Sequence, residues 1–210
     1  MSGPIATVDS LTRSGAYGES GMTVVDRFGV YLSLRAVLKA IGQRNEIDLL
    51  DLGCGYQAKL MRALQPRLKS GLGIDLRISD EAKRLDRLSF REGTIEGIVG
   101  ELPENSRDVV AMLSVLEHLS EPLSVLRDLK RIIRPGGVVL INVPTWLGKP
   151  FLEFSAFRLG TSPAEEMNDH KMYYDKRDLW PLLVRAGFRP SDLRLRYHKF
   201  GLNLFATVRG

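Results

Sequence analysis

Leu49-Leu50-Asp51-Leu52-Gly53-Cys54-Gly55 is an apolar run that ends abruptly in two glycines around one small side chain. The apolar part, from Ile47 to Leu52, has the length and composition of a buried strand. The glycines let the backbone fold back sharply, with no Cβ in the way of an approaching group. A helical stretch follows from Lys59 to Leu68, and its first N–H groups would face the turn. The same residues also suit a plain strand-to-helix turn that holds no ligand.

Outward from that turn the chain alternates. Leu72 to Leu76 reads as a second strand and Ser79 to Leu85 as a short polar helix. Leu88 to Glu92 is a weaker third strand, Asp108 to Val115 a fourth and Val138 to Val143 a fifth. Between the last two, Glu121 to Ile133 places Leu123, Leu126, Leu129 and Ile133 on one helical face. Continuous Val/Ile/Leu runs alternating with helices predict an α/β fold, a doubly wound, mostly parallel sheet with helices on both faces. A last helix is expected from about Lys176 to Ala186. Asp192 to Tyr197 and Leu202 to Val208 then close the chain as an antiparallel pair.

The ends and the break in the rhythm set the domain plan. Residues 1–21 are rich in Ser, Gly and Thr and read as a loosely attached arm. Residues 22–210 read as a single domain, opened by an amphipathic helix from Met22 to Ile41 that can cap the sheet or lean over a ligand. An insertion at about 145–170 carries Trp146, Phe151, Phe154 and Phe157 without clean periodicity. Those aromatics suit a lid over an apolar acceptor, or a small core of the insertion itself.

Composition narrows the class. The 210 residues are 44% hydrophobic and 26% charged, with a formal net charge of +5. These are the proportions of a globular protein with a mildly basic surface, and no basic run with interleaved aromatics marks a nucleic-acid interface. One cysteine, Cys54, excludes an intrachain disulfide and a cysteine-rich zinc site. No run is apolar over a membrane-spanning length, and a cytoplasmic location is the expectation.

Asp75 ends the strand Leu72-Gly73-Ile74-Asp75. In nucleoside-binding sheets of this kind, an acidic residue roughly 20 residues past the glycines accepts hydrogen bonds from ribose hydroxyls. Asp75 has that spacing and strand context, though an Asp at a strand end also serves as a helix cap.

Five segments in order carry a resemblance. Asp51-Leu52-Gly53-Cys54-Gly55, Gly73-Ile74-Asp75, Asp108-Val109-Val110, Ser114 to Leu119 and Arg134-Pro135-Gly136-Gly137 resemble the successive motifs of class I S-adenosylmethionine-dependent methyltransferases. The resemblance implies seven strands with the last antiparallel, and S-adenosylmethionine bound over the strand tips. By position it implies that Gly53, Cys54 and Gly55 pass beneath the methionine part and that Asp51 helps orient its amino group. Asp75, with Leu76 beside it, would take the ribose; Thr94 and Ile95 would lie near the adenine; Ser114 and Val115 would floor the sulfonium. Two positions depart from the family pattern: Gln57 stands where a third glycine is common, and Thr94 where an acidic residue is common. A dehydrogenase is the rival within the same fold, and Ala58 at its third glycine position does not exclude it.

Methyl transfer to a hydroxyl needs a group to take the proton. Of three histidines, His118 follows the fourth strand and His170 ends the insertion, while His198 reads as structural or exposed. On a helix, Ser114, Glu117 and His118 would share one face. With His170, this set is similar to the metal-assisted ubiquinone O-methyltransferases and to the enzymes that methylate the terminal 2′-hydroxyl of small RNAs. There two glutamates and two histidines ligate a divalent ion; here Ser114 replaces the first glutamate, and the expectation is no metal, with His118 and His170 as the catalytic candidates. The expected activity is O-methylation of a small molecule. RNA 2′-O-methylation and a non-catalytic cofactor-binding regulator are the alternatives.

Overall fold

The computed structural model of the protein describes residues 24–149 and 171–210. The arm expected at residues 1–21, and most of the insertion expected at 145–170, lie outside the described residues. Seven strands form one sheet: β1 (Ile47–Leu52), β2 (Leu68–Asp75), β3 (Leu88–Glu92), β4 (Arg107–Leu113), β5 (Ile133–Pro144), β6 (Leu193–His198) and β7 (Asn203–Arg209). Their order is β3-β2-β1-β4-β5-β7-β6. β1 to β5 pair in parallel, and β7 runs antiparallel between β5 and β6. The expected α/β sheet with its last strand reversed is the observed one.

The sheet forms where side chains alternate between two buried faces. Leu50, Leu52, Val110, Met112, Val139 and Ile141 point to one face, under α5 (Pro122–Ile132) and α6 (Lys176–Arg185). Leu49, Val109, Ala111 and Leu140 point to the other, under Val37 and Ile41 of α1 (Val24–Ile41) and Met61 and Leu64 of α2 (Lys59–Leu64). Two short helices, α3 (Asp80–Lys83) and α4 (Ile95–Ile98), follow β2 and β3.

Some boundaries moved for physical reasons. The helix expected through Leu68 stops at Leu64, because Gln65–Arg67, with Pro66 inside it, forms a separate 3-10 turn and Leu68 opens β2. β4 was expected to run to Val115 but ends at Leu113, where Ser114 takes a left-handed φ of 58°. β5 begins at Ile133, directly from α5.

At the lower edge of the sheet, Arg134 ties three strands together. Its Nη1 donates to Asp48 Oδ2 at 2.7 Å and to Asp108 Oδ1 at 2.8 Å, and the Asp48 N–H donates to Asp108 Oδ2 at 2.9 Å. The opposite, C-terminal edge carries the glycine turn. Between β1 and β4 the strand order reverses there, which opens the crevice where such sheets bind ligands.

Candidate active site

The glycine turn is stitched to the end of β2. Gly53 N–H donates to the Ile74 carbonyl at 2.8 Å and Cys54 N–H to the same oxygen at 3.2 Å. Gly55 N–H donates to Asp75 Oδ2 at 2.7 Å, and Leu76 N–H to Asp75 Oδ1 at 2.8 Å. The turn therefore spends its own donors inside the protein, and α2, at six residues, is too short to act as an anion-binding terminus. The glycines matter for shape. Gly53 and Gly55 sit at φ 71° and 75°, and a Cβ at Gly53 would run into Cγ2 of Val115. Gly53 is thus required by packing before any ligand is considered.

Asp51 is the last but one residue of β1, beneath this turn. It is buried, and its Oδ2 has no hydrogen-bond partner. Burial first, then the Asp75 charge, pushes its carboxyl up to about 8. Burial also drives the Cys54 thiol upward, so it stays a thiol and packs as a small apolar group. Asp75 lies half-buried at the tip of β2, where its two oxygens accept the Gly55 and Leu76 N–H groups. The next strand tip is tied in by Gly93 N–H, which donates to the Asp75 carbonyl at 3.0 Å. Thr94 follows as the exposed N-cap of α4, and Ile95 packs half-buried against the core. Asp51, Asp75, Leu76, Thr94 and Ile95 are thus distributed over three neighbouring strand tips.

Across the crevice, Ser114 is exposed and Val115 buried. Ser114 N–H donates to the Asn142 carbonyl at 2.7 Å, and Asn142 Nδ2 reaches Ser114 Oγ at 3.4 Å. Asn142 is fully buried, and its Oδ1 has no hydrogen-bond partner. Sequence reasoning passed over this residue, although one signal was there: a lone amide inside the apolar run of β5.

The helix expected to align Ser114, Glu117 and His118 does not form. Leu116–His118 is a single 3-10 turn, and Ser114, in the left-handed region, precedes it. Glu117 turns inward and is buried, whereas His118 is half-buried at the rim. The Glu117 carbonyl accepts from Lys171 N–H at 2.8 Å, which brings the chain after the insertion to the same rim. There Tyr174 is pushed up to about 12 by burial, and then by the Glu117 and Asp178 charges. His170 lies outside the described residues. Among the described residues, no group of three or more His, Cys, Asp or Glu side chains is placed to hold a metal ion. His198 ends β6, half-buried and edge-on to Phe205 at 5.8 Å. Burial and Lys199 hold its imidazole below the usual range.

Comparison with known proteins agrees with this fold. A family model described as a methyltransferase domain matches residues 25–193. A probable S-adenosylmethionine-dependent methyltransferase of Mycolicibacterium smegmatis is 31% identical over 166 residues, covering 74% of this chain and 57% of that protein. A ubiquinone biosynthesis O-methyltransferase of Nitrosomonas europaea is 32% identical over 120 residues, covering 53% of this chain and 49% of that protein. The chain therefore spans about half the length of the curated relatives it matches. A solved S-adenosylmethionine-dependent methyltransferase from Aquifex aeolicus shares the fold, with a TM-score of 0.58 and 21% identity over 83% of this chain and 88% of that one.

Proposed function

This chain belongs to the class I S-adenosylmethionine-dependent methyltransferases, and on that premise we propose that it methylates a small molecule on a hydroxyl oxygen. S-adenosylmethionine supplies an electrophilic methyl group on a sulfonium. The chain's residues fit it. Asp51 offers a buried oxygen with no partner, suited to the cofactor's ammonium, which would restore charge to a carboxyl that burial keeps protonated. Asp75, an acidic residue at the tip of β2, would accept hydrogen bonds from the ribose hydroxyls. Gly53, Cys54, Gly55 and Leu76 would approach through the backbone, Thr94 and Ile95 would flank the adenine, and Ser114 and Val115 would floor the reacting centre.

The observation that carries the acceptor is the buried Asn142 amide beneath exposed Ser114. One end of the amide meets Ser114 and the other meets nothing, and an unsatisfied buried polar group costs about 1–3 kcal/mol. A hydroxyl both donates and accepts, so it satisfies the amide whichever way the amide is turned. His118, at the same rim, would take the hydroxyl proton, with His170 the second candidate. The O-methyltransferase names among the relatives point the same way.

Labelled S-adenosylmethionine, offered with soluble phenols, amines and RNA in parallel, tests the reading. Label should pass to phenols. Asn142→Leu should raise KM for the phenol about tenfold or more, from a lost hydrogen bond left unmatched, with cofactor affinity unchanged. Transfer to amines or RNA alone would overturn it.

A further inference from the structure

We infer that the β6–β7 hairpin tip, together with the turn after β5, is a surface that docks on an anionic lipid bilayer. Phe200 is 88% exposed, Leu147 67%, Tyr197 54% and Trp146 46%. Single exposed apolar side chains are ordinary, but contiguous ones mark an interaction site. These belong to one knob. Thr145 N–H donates to the Leu202 carbonyl at 3.0 Å and Thr145 Oγ1 to the Gly201 carbonyl at 2.8 Å. A Cβ on Gly201 would lie 3.5 Å from Leu147 Cδ2.

The knob is held outward at a conformational cost. Lys199 and Phe200 are consecutive non-glycine residues with φ of 48° and 60°. Left-handed backbone is disfavoured for such side chains and persists where the surroundings over-determine it. Nothing in the core is gained by it, since Phe200 points to solvent.

Charge names the occupant. Residues 171–210 hold nine Lys and Arg against three Asp, more positive charge than the whole chain's +5. Lysines stand beside the aromatics: Lys149 Nζ is 5.9 Å from the Trp146 ring, and Lys176 Nζ is 5.0 Å from the Tyr197 ring. Aromatic and aliphatic tips flanked by lysines match a bilayer interface, with apolar groups below the headgroups and ammoniums against anionic lipid. A second copy fits poorly, because a two-fold contact would set Lys149 and Lys176 against their own counterparts.

Position links the surface to the site. Asn142 lies two residues before Pro144, whose carbonyl accepts from Tyr174 N–H at 3.0 Å, so the knob shares the rim of the acceptor end. Docking would turn that rim toward the bilayer and select apolar, membrane-dissolved hydroxyl acceptors. This last step rests on the O-methylation reading; the docking itself does not.

The test is co-sedimentation of the full chain with phosphatidylcholine vesicles, alone or mixed with phosphatidylglycerol. Binding should appear with the mixed vesicles only, weaken with added salt and shift tryptophan emission to the blue. Phe200→Ser and Leu147→Ser should each reduce partitioning about tenfold, because the inserted apolar side chain is lost. Both variants should keep cofactor binding and turnover of a soluble phenol, which shows that they fold. No binding to mixed vesicles, or binding unchanged in Phe200→Ser, overturns the proposal. So does a wild-type dimer that Phe200→Ser converts to monomer. If vesicles bind but no phenol is ever methylated, the docking surface stands and the acceptor reading falls.

Discussion

Asp51 is the residue where stability and ligand binding pull in opposite directions. An unfolded aspartate titrates near 4, whereas burial and the Asp75 charge push Asp51 up to about 8. Between those values the folded protein holds a proton that the unfolded chain has released. The raised carboxyl therefore favours the fold fully below about pH 4, and that contribution is lost as pH rises toward 8. Denaturation midpoints of the ligand-free protein, compared across this window, should fall more steeply in wild type than in Asp51→Asn. Equal slopes would mean that the carboxyl is ionised in the fold. The same variant should bind S-adenosylmethionine more weakly, since an amide offers the ammonium no charge.

At the scale of elements, Arg134 clamps the lower ends of β1, β4 and β5 through Asp48 and Asp108. Burial pushes Asp48 upward, but the bonds from Ser70 and Arg134 outweigh it and hold the carboxyl below its usual value. Arg134→Ala would leave two carboxylates facing each other without their cation. The expected loss is about 1–2 kcal/mol at neutral pH, less than for a fully buried pair because the Arg134 side chain is 37% exposed. Because the Asp48 carboxyl is depressed, that stabilisation is present above about pH 4 and lost as pH falls further. Urea titrations of the two proteins should therefore converge in acid; a gap that persists there would argue that Arg134 acts through packing.

At the scale of the whole molecule the strand order reverses between β1 and β4, with Asp51 and Asp75 on the β1–β2 side and Ser114 and Asn142 on the β4–β5 side. A ligand that binds only the folded state adds about 2.7 kcal/mol at a hundred times its Kd. For a chain of 210 residues this corresponds to a rise in Tm of about 5–10 °C. S-adenosylmethionine and its demethylated product should both produce it, and NAD should not. An equal response to NAD would return the dehydrogenase that Ala58 leaves open. Among the described residues, no helix is long and apolar enough to cross a membrane.

The sequence by itself determined the alternation of strands and helices, the glycine turn, the acidic strand tip and the cofactor class. The first three are written in local periodicity and short spacing, where burial of Leu49, Leu50 and Leu52 imposes a pattern readable along one strand, and the cofactor class was read through the resemblance of five ordered motifs. Ends of elements were less legible, since Pro66 and the left-handed Ser114 redirect the chain without changing its apolar content. Only the tertiary structure decided which residues meet across strands. Gly53 against Val115, Asn142 beneath Ser114, Arg134 between two aspartates and Leu147 beside Gly201 are far apart in the chain. Strand order and register bring them together, and neither quantity is encoded in the periodicity of a single segment.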